Sequence, residues 1–176
     1  MTQSENTCAL CQWRKADKTN SHVIPKFLCK TMLGSGNNKQ AFTLNTDTLA
    51  QDTKFSQDTD KVDYLFCTEC ETYFSVLETY VATRINNRIN NVRFDYQFTT
   101  ETHKRIKWKV CKEVNPAVFR LFIYSIIFRC TLTPIGIFKK FKLKDSQLET
   151  LHRYLLHFHD INQTNVLNKI EQGAIA

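Results

Sequence analysis

The chain has 176 residues, and its 24 Lys and Arg against 17 Asp and Glu give a formal net charge of +7. Its apolar fraction is 42%, with 13 Phe but only 4 Gly and 3 Pro. This composition excludes collagen-like, linker-like and disordered proteins, because so much aromatic surface has to be buried. We therefore expect one folded, basic domain, or one small domain with an appendage.

The sequence predicts neither a membrane span nor export. Its most apolar run, Leu121 to Phe128, is far shorter than the roughly 20 residues of a spanning helix. The N-terminus is polar and acidic, unlike a secretory signal. We expect a cytoplasmic protein with no membrane partner, whose seven cysteines are reduced thiols, some of them on a metal.

The first elements follow a Cys-x2-Cys pair at Cys8 and Cys11. A strand-like segment surrounds His22, and a polar loop follows at about 34–61, with a short strand at Ala41 to Leu44. Tyr64 to Phe66 is predicted as a second apolar strand that leads directly into Cys67-x2-Cys70.

Helical spacing begins at the second cysteine pair. It predicts a helix of about five turns. The apolar positions at this spacing are Phe74, Leu77, Val81, Ile85 and Ile89.

Two segments with apolar residues at every second position predict a β-hairpin. The first runs from Val92 to Phe98 and the second from Ile106 to Val110, with a polar connection between them. Trp108 alternates with the lysines of the second segment, so we expect it to lie in the core.

The C-terminal part is predicted to be helical. Asn115-Pro116 is typical of a helix start, and the apolar run to Cys130 indicates a buried helix that ends before Pro134. A last amphipathic helix is predicted to begin at Asp145 or Ser146 and to end near His159. The tail after Asn162 either adds a helical turn or frays.

The two Cys-x2-Cys pairs predict a structural zinc site. Each pair forms a knuckle with both sulfurs on one side, and two knuckles complete a tetrahedron with no open position. The predicted ligands are Cys8, Cys11, Cys67 and Cys70. The alternative is a set of small buried hydrophobic residues, which is the favoured interpretation for Cys29, Cys111 and Cys130.

The order of knuckle, strand with His, second strand, knuckle and helix resembles the treble clef of HNH (ββα-metal) endonucleases. The resemblance implies an α+β fold in which a small treble-clef zinc finger precedes a β-hairpin and a helical part. It also implies that His22 is the general base that activates water, and that a divalent metal stabilises the leaving oxygen. Phosphodiester hydrolysis needs both a base with a near-neutral pKa and a nearby cation.

A closer similarity is to bacterial proteins described as HNH-endonuclease-like. Ser21-His22-Val23-Ile24-Pro25-Lys26-Phe27 is similar to their Ser-His-Ile-Ile-Pro-Lys-Phe, and Cys67-x2-Cys70-Glu71 to their second knuckle. Ser21 and Glu71 stand where the general HNH pattern has metal ligands. The similarity implies a variant site that includes Ser21, Glu71 and Glu78, with Glu71 as a catalytic residue and Mg2+ or Mn2+ as its cation. Oxygen donors that could replace the usual ligands are Asp58, Asp60, Asp63, Glu71 and Glu78.

A basic stripe predicts nucleic-acid binding. Arg105, Lys107 and Lys109 recur about 6.6 Å apart on one strand face, close to the phosphate repeat of an extended strand. With Arg84 and Arg88 they are expected to bind DNA, or alternatively RNA. An ordinary solvated hairpin face is the competing interpretation.

These features predict residues 1–90 as a treble-clef HNH-like zinc domain and residues 91–176 as a hairpin and helical appendage packed on it. The first functional hypothesis is a metal-dependent DNA endonuclease of a bacterium or phage. A partner protein in a defence or mobile-element system is compatible with this hypothesis. The alternative is a non-catalytic, zinc-stabilised module that binds nucleic acid or protein on a degenerate HNH scaffold.

Overall fold

The computed structural model describes residues 7–30, 41–43, 54–56, 58–159 and 166–173. Its helices are α1 (Lys26–Cys29), α2 (Thr68–Val81), α3 (Pro116–Leu132), α4 (Asp145–Phe158) and α5 (Val166–Gly173). Its strands are β1 (Ser21–His22), β2 (Ala41–Thr43), β3 (Lys54–Ser56), β4 (Lys61–Val62), β5 (Phe98–His103) and β6 (Ile106–Cys111). This mixture of helices and small antiparallel sheets confirms the predicted combination of α and β structure.

The strands pair two at a time. β1 pairs with β4, β2 with β3, and β5 with β6, all antiparallel. The short strand predicted at Ala41 is confirmed as β2, whereas most of the predicted polar loop lies outside the described residues. The small sheet of β1 and β4 lies between the two cysteine pairs in sequence and positions His22 opposite Lys61.

The core forms where α2 and α3 pack together with α4 and α5. Its fully buried aromatic residues come from the segment before α2, from α2 itself and from α3. They are Phe66, Tyr73, Phe74, Phe122 and Phe128. Because residues from both halves of the chain share this cluster, the helices bury the metal-binding region. The division at residue 90 stays a prediction.

Three predicted helices are confirmed by their ends. α2 begins immediately after Cys67 and continues through a wider π turn at Ala82–Asn86, which gives about five turns in all. The Asn115 side chain caps α3 by accepting from the backbone N–H groups of Ala117 and Val118, and Pro116 occupies the first turn. α4 begins at Asp145, and Leu151 and Leu155 are buried, as its amphipathic pattern predicts.

The prediction of a strand at Tyr64 to Phe66 is wrong. Tyr64 has a φ of 56°, in the left-handed region, so the extended run ends before it. β4 lies at Lys61–Val62 instead, and the backbone carbonyls of Leu65 and Phe66 accept from the N–H groups of Ala9 and Lys18. The segment therefore pairs with the loop of the first knuckle without forming a strand.

The hairpin is confirmed, but its first strand was predicted too early in the chain. Val92–Gln97 is a 3-10 helix, and the Asn91 side chain accepts from the Arg93 N–H at its start. β5 begins at Phe98, the last residue of the predicted strand, and its other residues were predicted as the connection. Alternation of apolar residues predicts a strand only when one face of it is buried. Val92 is 83% exposed, so no buried face holds this segment in an extended conformation.

Trp108 is not in the core, contrary to the prediction. It alternates with Lys107 and Lys109 along β6 as expected, but its side chain is 43% exposed. Within the described part of the chain, no helix has both the length and the hydropathy that crossing a bilayer requires.

Candidate metal centre and the adjoining pocket

Two local turns present the four predicted zinc ligands. In the first, Cys8 N–H donates to Arg14 O, Gln12 N–H donates to Cys8 O, and Gln12 has a φ of 64°. In the second, Cys67 is the N-cap of α2, and Cys70 lies in the first turn of that helix. Each turn directs both of its sulfurs to one side, as the Cys-x2-Cys spacing predicts.

The four sulfurs of Cys8, Cys11, Cys67 and Cys70 lie within 4.8 Å of one another, and all four residues are buried. The Sγ atoms of Cys8 and Cys70 are 3.5 Å apart, and those of Cys11 and Cys67 are 3.9 Å apart. A tetrahedral zinc with Zn–S bonds of about 2.3 Å requires S···S distances of about 3.8 Å. The predicted convergence is confirmed, and the cluster could hold a metal such as zinc.

The thiol protonation states agree with a cation-dependent cluster. The hydrogen bond between Cys8 and Cys70 lowers the pKa of Cys8 to about 4, while burial raises the pKa of Cys67 to about 11. The bond to Cys8 and burial raise the pKa of Cys70 far above its ordinary value. Since the raised pKa values of Cys67 and Cys70 keep these two thiols protonated at neutral pH, binding of a divalent metal would release their protons.

Polar and aromatic contacts support the cluster from outside. Arg14 and Glu69 form an ion pair that joins the two knuckles. His159 Nε2 lies 3.4 Å from Cys70 Sγ, and the His159 ring packs edge-on against Trp13 and Tyr73. His159 has no predicted role in the site, because only the tertiary fold brings the end of α4 to the cluster.

We expect purified protein to contain one equivalent of zinc per chain by elemental analysis. Cys67→Ser should lose the zinc and unfold at a lower temperature, because it removes one of the four ligands that join the knuckles. Cys29→Ser is the matched control, since Cys29 lies outside the cluster. Zinc content and stability that respond equally to both substitutions would contradict the assignment.

A pocket of about 320 Å³ adjoins β1 and α2. His22 and Glu71, the two predicted catalytic residues, both line it. The other lining residues are Lys18, Asn20, Ser21, Thr72, Ser75, Glu78 and Arg129. The structure therefore brings the two predicted residues to one concave surface.

The His22 ring is oriented by its Nδ1 atom. Nδ1 lies 2.6 Å from Thr59 Oγ1, and that hydroxyl donates to Ile24 O at 3.4 Å. Thr59 Oγ1 can then accept a hydrogen bond from Nδ1–H, which leaves the free lone pair of the neutral ring on Nε2. Burial lowers the pKa of His22, although Asp58 Oδ1 at 3.9 Å from Nδ1 opposes this shift. The neutral imidazole is thus favoured.

Glu71 and Ser21 bring uncommitted polar atoms to the pocket. Glu71 Oε1 and Ser21 Oγ are buried, and neither has a hydrogen-bond partner of normal geometry within the described residues. Burial raises the pKa of Glu71, and the nearby Ser21 hydroxyl acts in the opposite direction. Glu71 and Ser21 thus place two buried polar side-chain atoms next to each other at the pocket wall.

Asp58 is already occupied by two lysines. Its carboxylate lies 2.8 Å from Lys61 Nζ and 3.3 Å from Lys26 Nζ, and these ammonium groups hold the pKa of Asp58 well below its usual range. Of the carboxylates considered as replacement metal ligands, Glu71 is therefore the one with a free buried oxygen at the pocket.

Arg129 is a residue of the pocket that sequence analysis did not assign to the site. Its side chain is 2% exposed and donates to Glu78 Oε1 at 2.6 Å, to His22 O at 2.8 Å and to Ser125 O at 3.3 Å. Its guanidinium also lies 5.3 Å from the centre of the Phe74 ring. One side chain from α3 thus holds β1 and α2 together. The available sequence signal was a single charge at the end of a long apolar run.

Arg129→Met is expected to lower the free energy of unfolding by about 3 kcal/mol, because it leaves Glu78 and two carbonyls without their donor. Urea denaturation measures this. Arg120→Met is the matched control, since Arg120 is exposed on the same helix and should change stability little. In the Arg129→Met/Glu78→Gln double variant, the loss should be smaller than the sum of the single losses. An additive double variant would contradict this coupling.

The five predicted nucleic-acid-binding residues divide into two groups. Three of them make contacts within the protein. The Arg84 guanidinium lies over the Tyr80 ring. The Arg88 side chain donates to Gln97 Oε1 at 2.9 Å, and Lys109 Nζ donates to Ile89 O at 2.8 Å. Arg105 and Lys107 lie exposed at the end of the hairpin. The predicted set is therefore not a single uniform stripe.

Comparisons with protein-family models, with curated proteins and with solved structures find no match. The resemblance to HNH proteins consequently stays a prediction, and the local geometry has to support any functional assignment.

Proposed function

We propose that this chain is a metal-dependent DNA endonuclease of HNH type, which hydrolyses phosphodiester bonds with His22 as general base. The observation that supports this best is that His22 and Glu71, distant in sequence, line one pocket beside a cluster of four cysteines. The order of knuckle, β1, β4, knuckle and α2 is also the order expected of a treble clef.

His22 has the protonation state and the ring orientation that the proposed reaction requires. With Nδ1 held by Thr59, Nε2 can accept a proton from water while the water oxygen attacks phosphorus. The bond from phosphorus to the leaving oxygen then breaks, and the leaving oxygen takes a proton from solvent. Arg129 fixes the His22 backbone carbonyl and so restricts the position of the ring.

The residues of the pocket are compatible with a catalytic Mg2+ or Mn2+. Mg2+ in proteins is commonly held by one or two carboxylates together with water and substrate phosphate. Glu71 supplies a buried carboxylate oxygen without a partner, and the Ser21 hydroxyl is an additional oxygen donor. Such a cation would stabilise negative charge on the leaving oxygen.

A non-catalytic binding module is the second candidate. One observation favours it: within the described ranges, the only close group of three or more His, Cys, Asp or Glu side chains suited to a metal is the cysteine cluster. Glu78 and Asp58 are also committed to ion pairs. In this alternative the zinc-stabilised scaffold binds nucleic acid or a protein and cleaves nothing.

Plasmid nicking distinguishes the two candidates. With Mg2+ or Mn2+ we expect the wild type to nick and His22→Ala to lose at least about a hundredfold in rate, the usual contribution of a general base. Ser75→Ala, which changes another pocket residue, is the matched control and should retain nicking. No cleavage by the wild type, with salt-sensitive DNA binding intact, would support the binding module instead.

The pH dependence of nicking tests the protonation state of His22. Burial lowers its pKa below the ordinary 6.5, and only the neutral ring accepts a proton. Activity should therefore persist at pH 6.5 and fall at more acidic pH, where His22 becomes protonated. Asp58→Asn should shift this acidic limb to still lower pH, because it removes the carboxylate that opposes the shift. An acidic limb above pH 6.5, or one that Asp58→Asn moves upward, would contradict the role of His22.

A further inference from the structure

The hairpin of β5 and β6 is exposed on both faces. Six residue pairs join the strands, from Phe98 with Cys111 to His103 with Ile106. Every residue of β6 before Cys111 is exposed, including Ile106 at 62% and Trp108 at 43%. A two-stranded ribbon that buries neither face gains little stability from packing, so its apolar side chains require another explanation.

The tip of this hairpin is built from two basic residues in an unfavourable conformation. Lys104 and Arg105 form the two-residue turn, with φ values of 46° and 69°. A turn with positive φ at both positions favours Asn-Gly, because residues with long side chains are disfavoured in the left-handed region. Backbone strain of this kind is concentrated at functional positions. In this hairpin the strained turn consists of two cationic residues.

The charge around the tip is predominantly positive. Residues 98–112 include five Lys or Arg residues and a single Glu. Within the described residues, Lys104, Arg105 and Lys107 have neither an ion pair nor a side-chain hydrogen bond. The single acid, Glu101, accepts from Trp108 Nε1 at 3.2 Å. A polyanion therefore complements this surface better than a neutral or basic protein does.

The base of the hairpin is held by contacts to the rest of the protein. Lys109 Nζ donates to Ile89 O and lies 3.6 Å from Asp95 Oδ1. The Lys112 N–H donates to Gln97 O, and Gln97 is buried and bonded to Arg88. These anchors hold the base while the tip points into solvent, so the hairpin is presented as a defined arm.

We propose that this arm inserts into the major groove of duplex DNA, with Lys104, Arg105 and Lys107 on phosphates. The inference deepens the proposed function and rests on it for DNA as the target. A two-stranded ribbon fits the major groove, which is about 12 Å wide. Ile106 and Trp108 supply apolar surface for thymine methyl groups, and the anchored Arg88 and Lys109 serve as supports of the arm.

The decisive variant is Lys104→Asn/Arg105→Gly, because it removes both cations and installs the turn sequence that the backbone prefers. We expect its unfolding temperature to equal or exceed that of the wild type. Its affinity for a short duplex DNA, measured by fluorescence anisotropy without divalent cations, should fall about tenfold. The slope of log K against log salt should weaken by about 0.9 for each phosphate that the variant no longer neutralises. Adding Lys107→Gln should weaken binding further.

The matched control is Arg153→Gln/Lys169→Gln, which removes the same charge from exposed positions on α4 and α5. It should keep most of the wild-type affinity. The proposal is overturned if both double variants lose the same affinity or if the hairpin variant binds as well as the wild type. It is also overturned if the wild type does not bind duplex DNA or prefers the separated single strand. A wild-type dimer that Trp108→Thr converts to a monomer with unchanged DNA affinity would assign the face to self-association instead.

This experiment is independent of cleavage. If the wild type binds duplex DNA through the hairpin but never nicks a plasmid, the endonuclease proposal fails and the docking arm stands. If it nicks, and the hairpin variant binds and nicks as well as the wild type, the docking arm fails and the endonuclease stands.

Discussion

The rest of the structure depends on the convergence of four buried thiols. Their sulfurs bring the loop at Cys8 to the start of α2 at Cys67, and the chain between them contains β1 and β4. A tetrahedral metal at this cluster would fix where α2 begins and hence where Glu71, the residue after Cys70, faces the pocket. The short two-residue strands could not hold this geometry by pairing alone. A metal would add its binding energy to that of the hydrophobic core, in which all four cysteines are already buried.

Arg129 provides a second constraint on the other side of the pocket. A buried guanidinium is costly unless its donors are paired, and Arg129 pairs them with a carboxylate of α2, a carbonyl of β1 and a carbonyl of its own helix. The pocket therefore lies between a cluster that unites the knuckles and an ion pair that unites three elements. His22 is held through its backbone by Arg129 and through its ring by Thr59. This double restraint limits the positions that the imidazole ring can occupy.

Residues of the same type have different tasks in this protein. Arg88 and Lys109 use their charge at the base of the hairpin, whereas Lys104 and Arg105 occupy its tip without a described partner. The position of each residue on the folded chain decides this, since a cation near a carbonyl or a carboxylate is drawn into an internal contact. A basic stripe in sequence is consequently an incomplete description of a nucleic-acid surface, and in the proposed arm only the cations at the tip are assigned to phosphates.

The sequence by itself determined what local spacing controls. Cysteine pairs separated by two residues predicted the ligand set, Asn115-Pro116 and the apolar run after it predicted α3, and apolar residues at helical spacing predicted most of α2. These signals act within a few residues of each other in sequence. Only the tertiary structure decided that Tyr64 bends, that Val92–Gln97 winds into a 3-10 helix and that Trp108 is exposed, since alternation indicates a face but not whether another element covers it. The pairing of Arg129 with Glu78 and His22 likewise joins segments far apart in sequence, and no local pattern encodes such a contact.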